Sequence, residues 1–313
     1  MNRRTFVRQI AAATTSVALP SWGHAGSPLA SRIVDTHTHF YDPTRQQGVP
    51  WPAKGTSLYR SVHPKDWLAV AAPHGVKETV IVEASAWLED NQWILDLAAQ
   101  EKCVVGFVGR LSPQDDAFPR DLKRFAANPL FRGIRVGRDF PGNRDKPEFQ
   151  RGLRLMADLG LELDVNGGAP LHQPVAQLAA EISTLRIVVN HVGGAGDPRR
   201  LSDGWRSGMK AMGRQKNVFC KVSALAEQTE ESTQHPGSAP RDTAYYQPIL
   251  DHCWEVFGED RLLYGSNWPV CEKGGTFPDQ FKIVSEYFAG KGREACEKYF
   301  WKNSLTAYRW INR

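Results

Sequence analysis

Ile33-Val34-Asp35-Thr36-His37-Thr38-His39-Phe40 reads as a short apolar strand that ends in two histidines spaced two apart, with an acid two residues before the first. Side chains of a strand alternate between its faces, so this spacing predicts that Asp35, His37 and His39 point the same way. Two imidazoles and a carboxylate converging on one face suit a metal or a hydrolytic centre. The alternative is a polar strand end at the surface.

Outward from this stretch, apolar runs of strand length recur at 79–84, 104–109, 131–136, 161–166, 185–191, 217–222 and 262–266. They are rich in Val, Ile, Leu and Phe. Helical patterns lie between them. The run 90–100 has an acidic start and apolar spacings of three and four, 145–160 ends on glycine, and a further pattern closes the chain. Eight strand candidates, each but the first promptly followed by a helix, predict an α/β fold of the (β/α)8 barrel type in one domain. A doubly wound open sheet is the alternative. No glycine-rich turn follows the first strand, so the dinucleotide fingerprint of that fold is missing. No internal repeat or dividing linker is evident.

Of the formal net charge of +5, Arg3, Arg4 and Arg8 supply three in a leader without acids. The remainder is too small and dispersed to attract nucleic acid or an anionic membrane, which leaves a small molecule as the expected partner. Five cysteines form no C-x-x-C pair, which argues against a zinc knuckle or a disulfide framework. Cys103 and Cys220 flank apolar runs and read as small buried hydrophobes. Residues 1–25 combine a basic start, an apolar stretch and small residues, the pattern of a secretory signal. Arg3-Arg4 followed by Phe6 resembles the twin-arginine (Tat) motif, departing from it at Asn2 and Val7. The expectation is export through the twin-arginine machinery to the periplasm or beyond. The mature chain, 26–313, would then contain no membrane span.

In a barrel the active site is built from the C-terminal ends of the strands. Those ends offer His37 and His39, Glu83, Arg132 and Arg135, then Asp164 and Asn166 with His172 in the following loop. His191, Lys221 and Ser223, and finally Ser266, Asn267 and Trp268 complete the circuit. Three imidazoles suit Zn²⁺, whose catalytic sites keep a position open for water. The aperiodic loop 40–62 follows the first strand and reads as a lid or pocket wall, with Tyr41, Trp51 and Tyr59 as contacts. A surface loop packed by its own aromatics is the other reading. The stretch 227–243 is polar, and its His235 reads as a solvated residue.

The motifs VDTHTHFYDP, FRGIRV, VVNHVGG, CKVSAL and LLYGSNWPV together resemble the amidohydrolase-related superfamily, in the branch of sugar lactonases and 2-pyrone-4,6-dicarboxylate lactonase. The resemblance runs over essentially all of 32–313. It implies a distorted TIM barrel and water attack on a lactone or related carbonyl. It also implies a site at His37, His39 and His191 that holds at most one divalent metal, Zn²⁺ or none. By the same analogy Arg135 would hold a substrate carboxylate bidentately, a structural salt bridge at the strand end being the alternative. Trp268 at the eighth strand end joins Tyr41 and Trp51 as a candidate substrate contact. The family pattern breaks at Asn267, where an aspartate normally serves as metal ligand and general acid/base. An amide cannot take a proton from water near neutral pH, and loss of a positioned base typically costs ~10²–10⁴ in rate. Asn267 would instead ligate weakly or hydrogen-bond the oxyanion, with Glu83 or Asp164 as substitute base. Two alternatives stand beside a lactone hydrolase: a decarboxylase-like enzyme, and a binding protein on a degenerate barrel.

Overall fold

The structure is a computed structural model that describes residues 29–313. The expected leader, 1–25, lies outside the described residues. Eight parallel strands follow one another in chain order: β1 (Val34–Thr38), β2 (Glu78–Val82), β3 (Val104–Gly109), β4 (Phe131–Val136), β5 (Glu162–Val165), β6 (Arg186–Val189), β7 (Val218–Val222) and β8 (Leu262–Tyr264). The ring closes where Thr36 Oγ1 donates to the Tyr264 carbonyl (2.5 Å) and the His39 amide donates to the Trp268 carbonyl (2.9 Å). All eight strands fall on the apolar runs read from the sequence.

A helix packs outside the ring after every strand: α1 (Pro64–Ala71), α2 (Asp90–Gln100), α3 (Phe118–Ala126), α4 (Pro147–Asp158), α5 (His172–Glu181), α6 (Asp203–Gly213), α7 (Thr243–Phe257) and α8 (Phe277–Gly290). Local chemistry sets several starts. Ser202 Oγ accepts from the Trp205 amide to cap α6, and Thr276 with Asp279 forms a capping box on α8. The main apolar core lies between ring and helices. A second cluster fills the barrel with Val34, Val80, Val82, Val105, Val188, Phe219 and Leu263, and Tyr308 and Trp310 of the C-terminal segment join it. Cys103 and Cys220 are buried free thiols, as expected. Among the described residues no helix is long and apolar enough to cross a membrane.

The loop 40–62 is pinned at its base by paired backbone bonds between Tyr41 and Val62 (3.1 and 2.8 Å). Arg45 bonds Asp90 of α2 through two nitrogens (2.9 and 3.1 Å) and stacks 4.3 Å from the Trp93 ring. Arg60 reaches Glu272 beyond β8 at 2.8 Å. Held at these points, the loop is a wall of the barrel mouth rather than a free flap.

Candidate active site

One expectation for the first strand fails. Asp35 does not join the histidines. The register of β1 against β2 shifts between Asp35 and Thr38, which interrupts the alternation of faces. The Asp35 carboxylate accepts from Trp67 Nε1 of α1 (3.2 Å) and from Ser266 N (2.8 Å) and Oγ (2.5 Å). It therefore ties β1 to α1 and to the segment after β8. Burial pushes its pKa up to about 6, against those hydrogen bonds.

The three histidines do meet. The His37 ring centroid lies 4.9 Å from that of His39 and 4.4 Å from that of His191. Burial is the main cause holding all three imidazoles neutral near pH 7. Lys221 and Arg135 add to it, and His39 is lowered to about 3. His191 follows β6 and begins four consecutive residues with positive φ: His191 (55°), Val192 (48°), Gly193 (63°) and Gly194 (64°). The glycines admit backbone here, since a Cβ on Gly194 would lie 2.8 Å from the Cα of Gly168. Ala224 after β7 (52°) and Asn267 after β8 (61°) are left-handed too. Three neighbouring strand ends thus carry non-glycine residues in a conformation that costs about 1–3 kcal/mol each, a pattern associated with functional sites.

A cavity of about 440 Å³ opens at the mouth, lined by His39, Trp51, Glu83, Arg135, Asn166, His191 and Asn267 among others. Arg135 lines it already engaged. Its Nε donates to Glu83 Oε1 and its Nη2 to the Glu83 carbonyl, both at 2.8 Å. Trp51 stands with its ring 5.9 Å from His39 and 5.3 Å from Tyr41. Tyr41 is buried behind Trp51 and donates to the Leu58 carbonyl (2.9 Å). Trp268 is buried against Phe40. Neither residue lines the cavity, and nor does Tyr59. His235 is exposed, as read.

Asp164 is fully buried away from the cavity. It accepts from Lys221 Nζ (3.0 Å) and Tyr308 OH (2.8 Å), so each of its oxygens has a partner. Lys221 also lies 3.2 Å from His37 Nδ1. Burial lowers the Lys221 pKa against the pull of Asp164. As an ammonium Lys221 has only hydrogens to offer, which makes His37 Nδ1 the acceptor and puts the proton of a neutral His37 on Nε2, whereas a neutral amine admits the other tautomer. His39 is the opposite tautomer. Its Nδ1 lies 2.9 Å from the Val82 carbonyl, which can only accept, so its Nε2 keeps the lone pair. His191 Nδ1 pairs with Ser223 Oγ at 2.9 Å.

A zinc ligand must present a lone pair, commonly with an acceptor on its other ring nitrogen. His39 meets this requirement, and Ser223 lets His191 meet it. His37 has a buried Nε2 without a partner, and it meets the requirement only when Lys221 is neutral and accepts from Nδ1. Asn267 brings no carboxylate, and Glu83 is bound to Arg135. Among the described residues no three His, Cys, Asp or Glu side chains form a ready metal cage. With Lys221 charged the donor set does not fit a three-imidazole zinc centre; with Lys221 neutral, His37, His39 and His191 can each present a lone pair.

The sequence reading passed over Glu227. This residue sits in a short turn of helix (Ala226–Gln228) after β7, and its Oε1 accepts from Asn267 Nδ2 at 2.9 Å. Burial raises its pKa to about 7. The signal was its place directly after the apolar run Ala224-Leu225-Ala226; it belongs to that run and not to the polar stretch beyond.

Residues 34–310 match the family described as Amidohydrolase. An L-fucono-1,5-lactonase from Burkholderia ambifaria is 30% identical over 250 residues, which span 79% of this chain and 83% of the relative. A solved amidohydrolase from Burkholderia multivorans with bound zinc superposes with a TM-score of 0.80 at 20% identity, over 90% of this chain and 100% of the other. A probable 2-pyrone-4,6-dicarboxylic acid hydrolase from Acinetobacter baumannii, solved with citric acid, gives 0.69 at 17% identity, over 89% and 99%. At these identities the two solved structures speak for the fold alone.

Proposed function

The chain belongs to the amidohydrolase family, in its lactonase-like branch, and from that premise we propose that it hydrolyses a neutral, hydroxylated lactone by attack of water on the ring carbonyl. The observation that carries this reading is the pairing of Arg135 with Glu83. An arginine fork recognises a carboxylate when its donors are free. Here two are already taken by Glu83, which also lies 3.9 Å from Arg110, and the imidazoles are neutral, so the cavity offers a dicarboxylate only the remaining guanidinium donors of Arg135. What remains suits hydroxyl groups. Glu83 and Asn166 supply polar atoms, and Trp51 supplies an aromatic face for the C–H side of a sugar ring. The L-fucono-1,5-lactonase relative is in keeping with such a substrate.

In this reading water sits between Asn267 Oδ1 and the imidazoles. His39 Nε2, the lone-pair tautomer, takes a proton as the water oxygen bonds to the carbonyl carbon. The oxyanion is met by donors on the cavity wall, with Arg135 the charged one. Collapse of the tetrahedral intermediate breaks the ring C–O bond and returns the proton to the leaving oxygen. A lactone carbonyl is reactive enough for a weakly basic imidazole to serve. Asp164 holds Lys221, and through it the His37 tautomer. The reading needs no metal. A divalent ion among His37, His39 and His191 would require a neutral Lys221, so that His37 could move its proton to Nδ1.

The test is a panel of five- and six-membered aldonolactones beside mono- and dicarboxylated lactones and aromatic acids, followed by acid release and CO₂ evolution. Turnover of neutral lactones with kcat/KM at least tenfold above the carboxylated ones supports the reading. Preference for dicarboxylates, CO₂ release, or binding without turnover overturns it.

A further inference from the structure

We propose that Glu227 is a positioning residue: its carboxylate and the Asn267 amide form one unit that turns the amide oxygen toward the hydrolytic cavity. The inference rests on the hydrolytic reading above for its chemistry and on the geometry of the pair for its existence.

Only the amino end of a side-chain amide can face a carboxylate, since two oxygens would repel. The 2.9 Å bond from Asn267 Nδ2 to Glu227 Oε1 therefore settles which way the amide lies. The Asn267 oxygen is left on the other side. It is buried, has no hydrogen bond of good geometry, and stands beside the His39 ring, where it favours the protonated imidazole. Buried acceptors are almost always satisfied, so this one calls for a water or a substrate hydroxyl. The left-handed backbone of Asn267 and the packing of Gly274 against Ala226 clamp the two strand-end turns together. Glu227 itself has a second oxygen, Oε2, that is also buried without a partner. A buried carboxylate with so little compensation is costly, and a bare strut between two loops would not need the charge.

The pair explains why an amide stands at the end of β8. With Glu227 in place, an aspartate at position 267 would set two carboxylates against each other. The acid has moved one layer back, and the residue in front has become the neutral group it can orient. Asn267→Asp alone is then harmful, although it restores the usual family residue. Glu227→Gln beside Asn267→Asp exchanges the roles, with the amide now at position 227 donating to the carboxylate now at position 267.

The test is a double-mutant cycle on the full chain, reading kcat, KM and thermal midpoint. The expected result is that Asn267→Asp lowers kcat at least tenfold with little change in KM and lowers the midpoint. Adding Glu227→Gln should bring kcat to within threefold of wild type and recover the midpoint. The midpoint needs no substrate, so coupling there supports the pair even if no lactone is turned over, and that outcome would count against the hydrolytic reading instead. Additive effects in both kcat and midpoint, or Asn267→Asp at or above wild-type kcat with Glu227→Gln indifferent, overturn the proposal.

Discussion

Lys221 Nζ lies 3.2 Å from His37 Nδ1 and 3.0 Å from Asp164 Oδ2, all three groups fully buried. The lysine is thus the bridge between the floor of the barrel and the cluster of imidazoles. Its protonation state is coupled to the side of His37 on which the proton resides, and with it to the metal chemistry open to the site.

Removing that bridge has two expected consequences. Lys221→Met leaves Asp164 as an uncompensated buried charge, and loss of one partner of such a pair costs about 3–5 kcal/mol. A large drop in thermal midpoint follows. The variant also frees His37 to ligate. Wild-type protein purified without chelator should carry well under one equivalent of zinc and keep its kcat in EDTA. Elemental analysis and a chelator titration check this, and a full equivalent of metal whose removal abolishes turnover would contradict it.

In the proposed reading Glu83 sets substrate charge by occupying Arg135. Glu83→Gln weakens that hold and removes the negative charge that faces Arg135 and Arg110. The ratio of kcat/KM for a carboxylated lactone to that for a neutral one should rise at least tenfold. A ratio that stays fixed would mean that Arg135 does not read the substrate.

In the proposed reading Trp51, which lines the cavity, offers its ring to the substrate without touching the reacting atoms. Trp51→Ala should raise KM about tenfold and change kcat by less than threefold, measured on the best neutral lactone. A kcat-dominated loss would show instead that the loop shapes the histidines.

Glu227 gives the enzyme a pH signature. Its folded pKa is about 7, above the ordinary 4.5. The folded state therefore holds this proton more tightly than the unfolded chain between those values. The stability it contributes is complete below about 4.5 and is lost as pH rises through 7. Activity has the opposite sign, since only the carboxylate forces the Asn267 amide into place, so kcat should climb through pH 7. Melting wild type and Glu227→Gln at pH 5 and pH 8 checks the first point. Wild type should lose more midpoint between them. Equal losses would contradict it.

The ring of eight strands was legible because each is a dense Val/Ile/Leu/Phe run of strand length, and because helix signals separate them. The meeting of His37, His39 and His191 was legible from strand position alone. The orientation of Asp35 was not, because alternation assumes an unbroken ladder and the register of β1 shifts after it. Tyr41 and Trp268 looked like pocket residues because they border the mouth. Their rings turn instead into apolar contacts behind Trp51 and Phe40. Glu227 was hidden because composition groups it with the polar residues that follow. The turn that carries it packs against the short helix Val270–Lys273 and Gly274 after β8, far along the chain. The Lys221 contact was foreshadowed by a lysine inside the buried strand VFCKV. What that lysine touches depends on the closed ring.

Water attack without a metal is tested most directly by turnover of a six-membered neutral aldonolactone in H₂¹⁸O after chelation. Rapid ring opening is expected, with one ¹⁸O incorporated into the product carboxylate and a rate unchanged by the chelator. No turnover without added metal, or a product free of ¹⁸O, would contradict it.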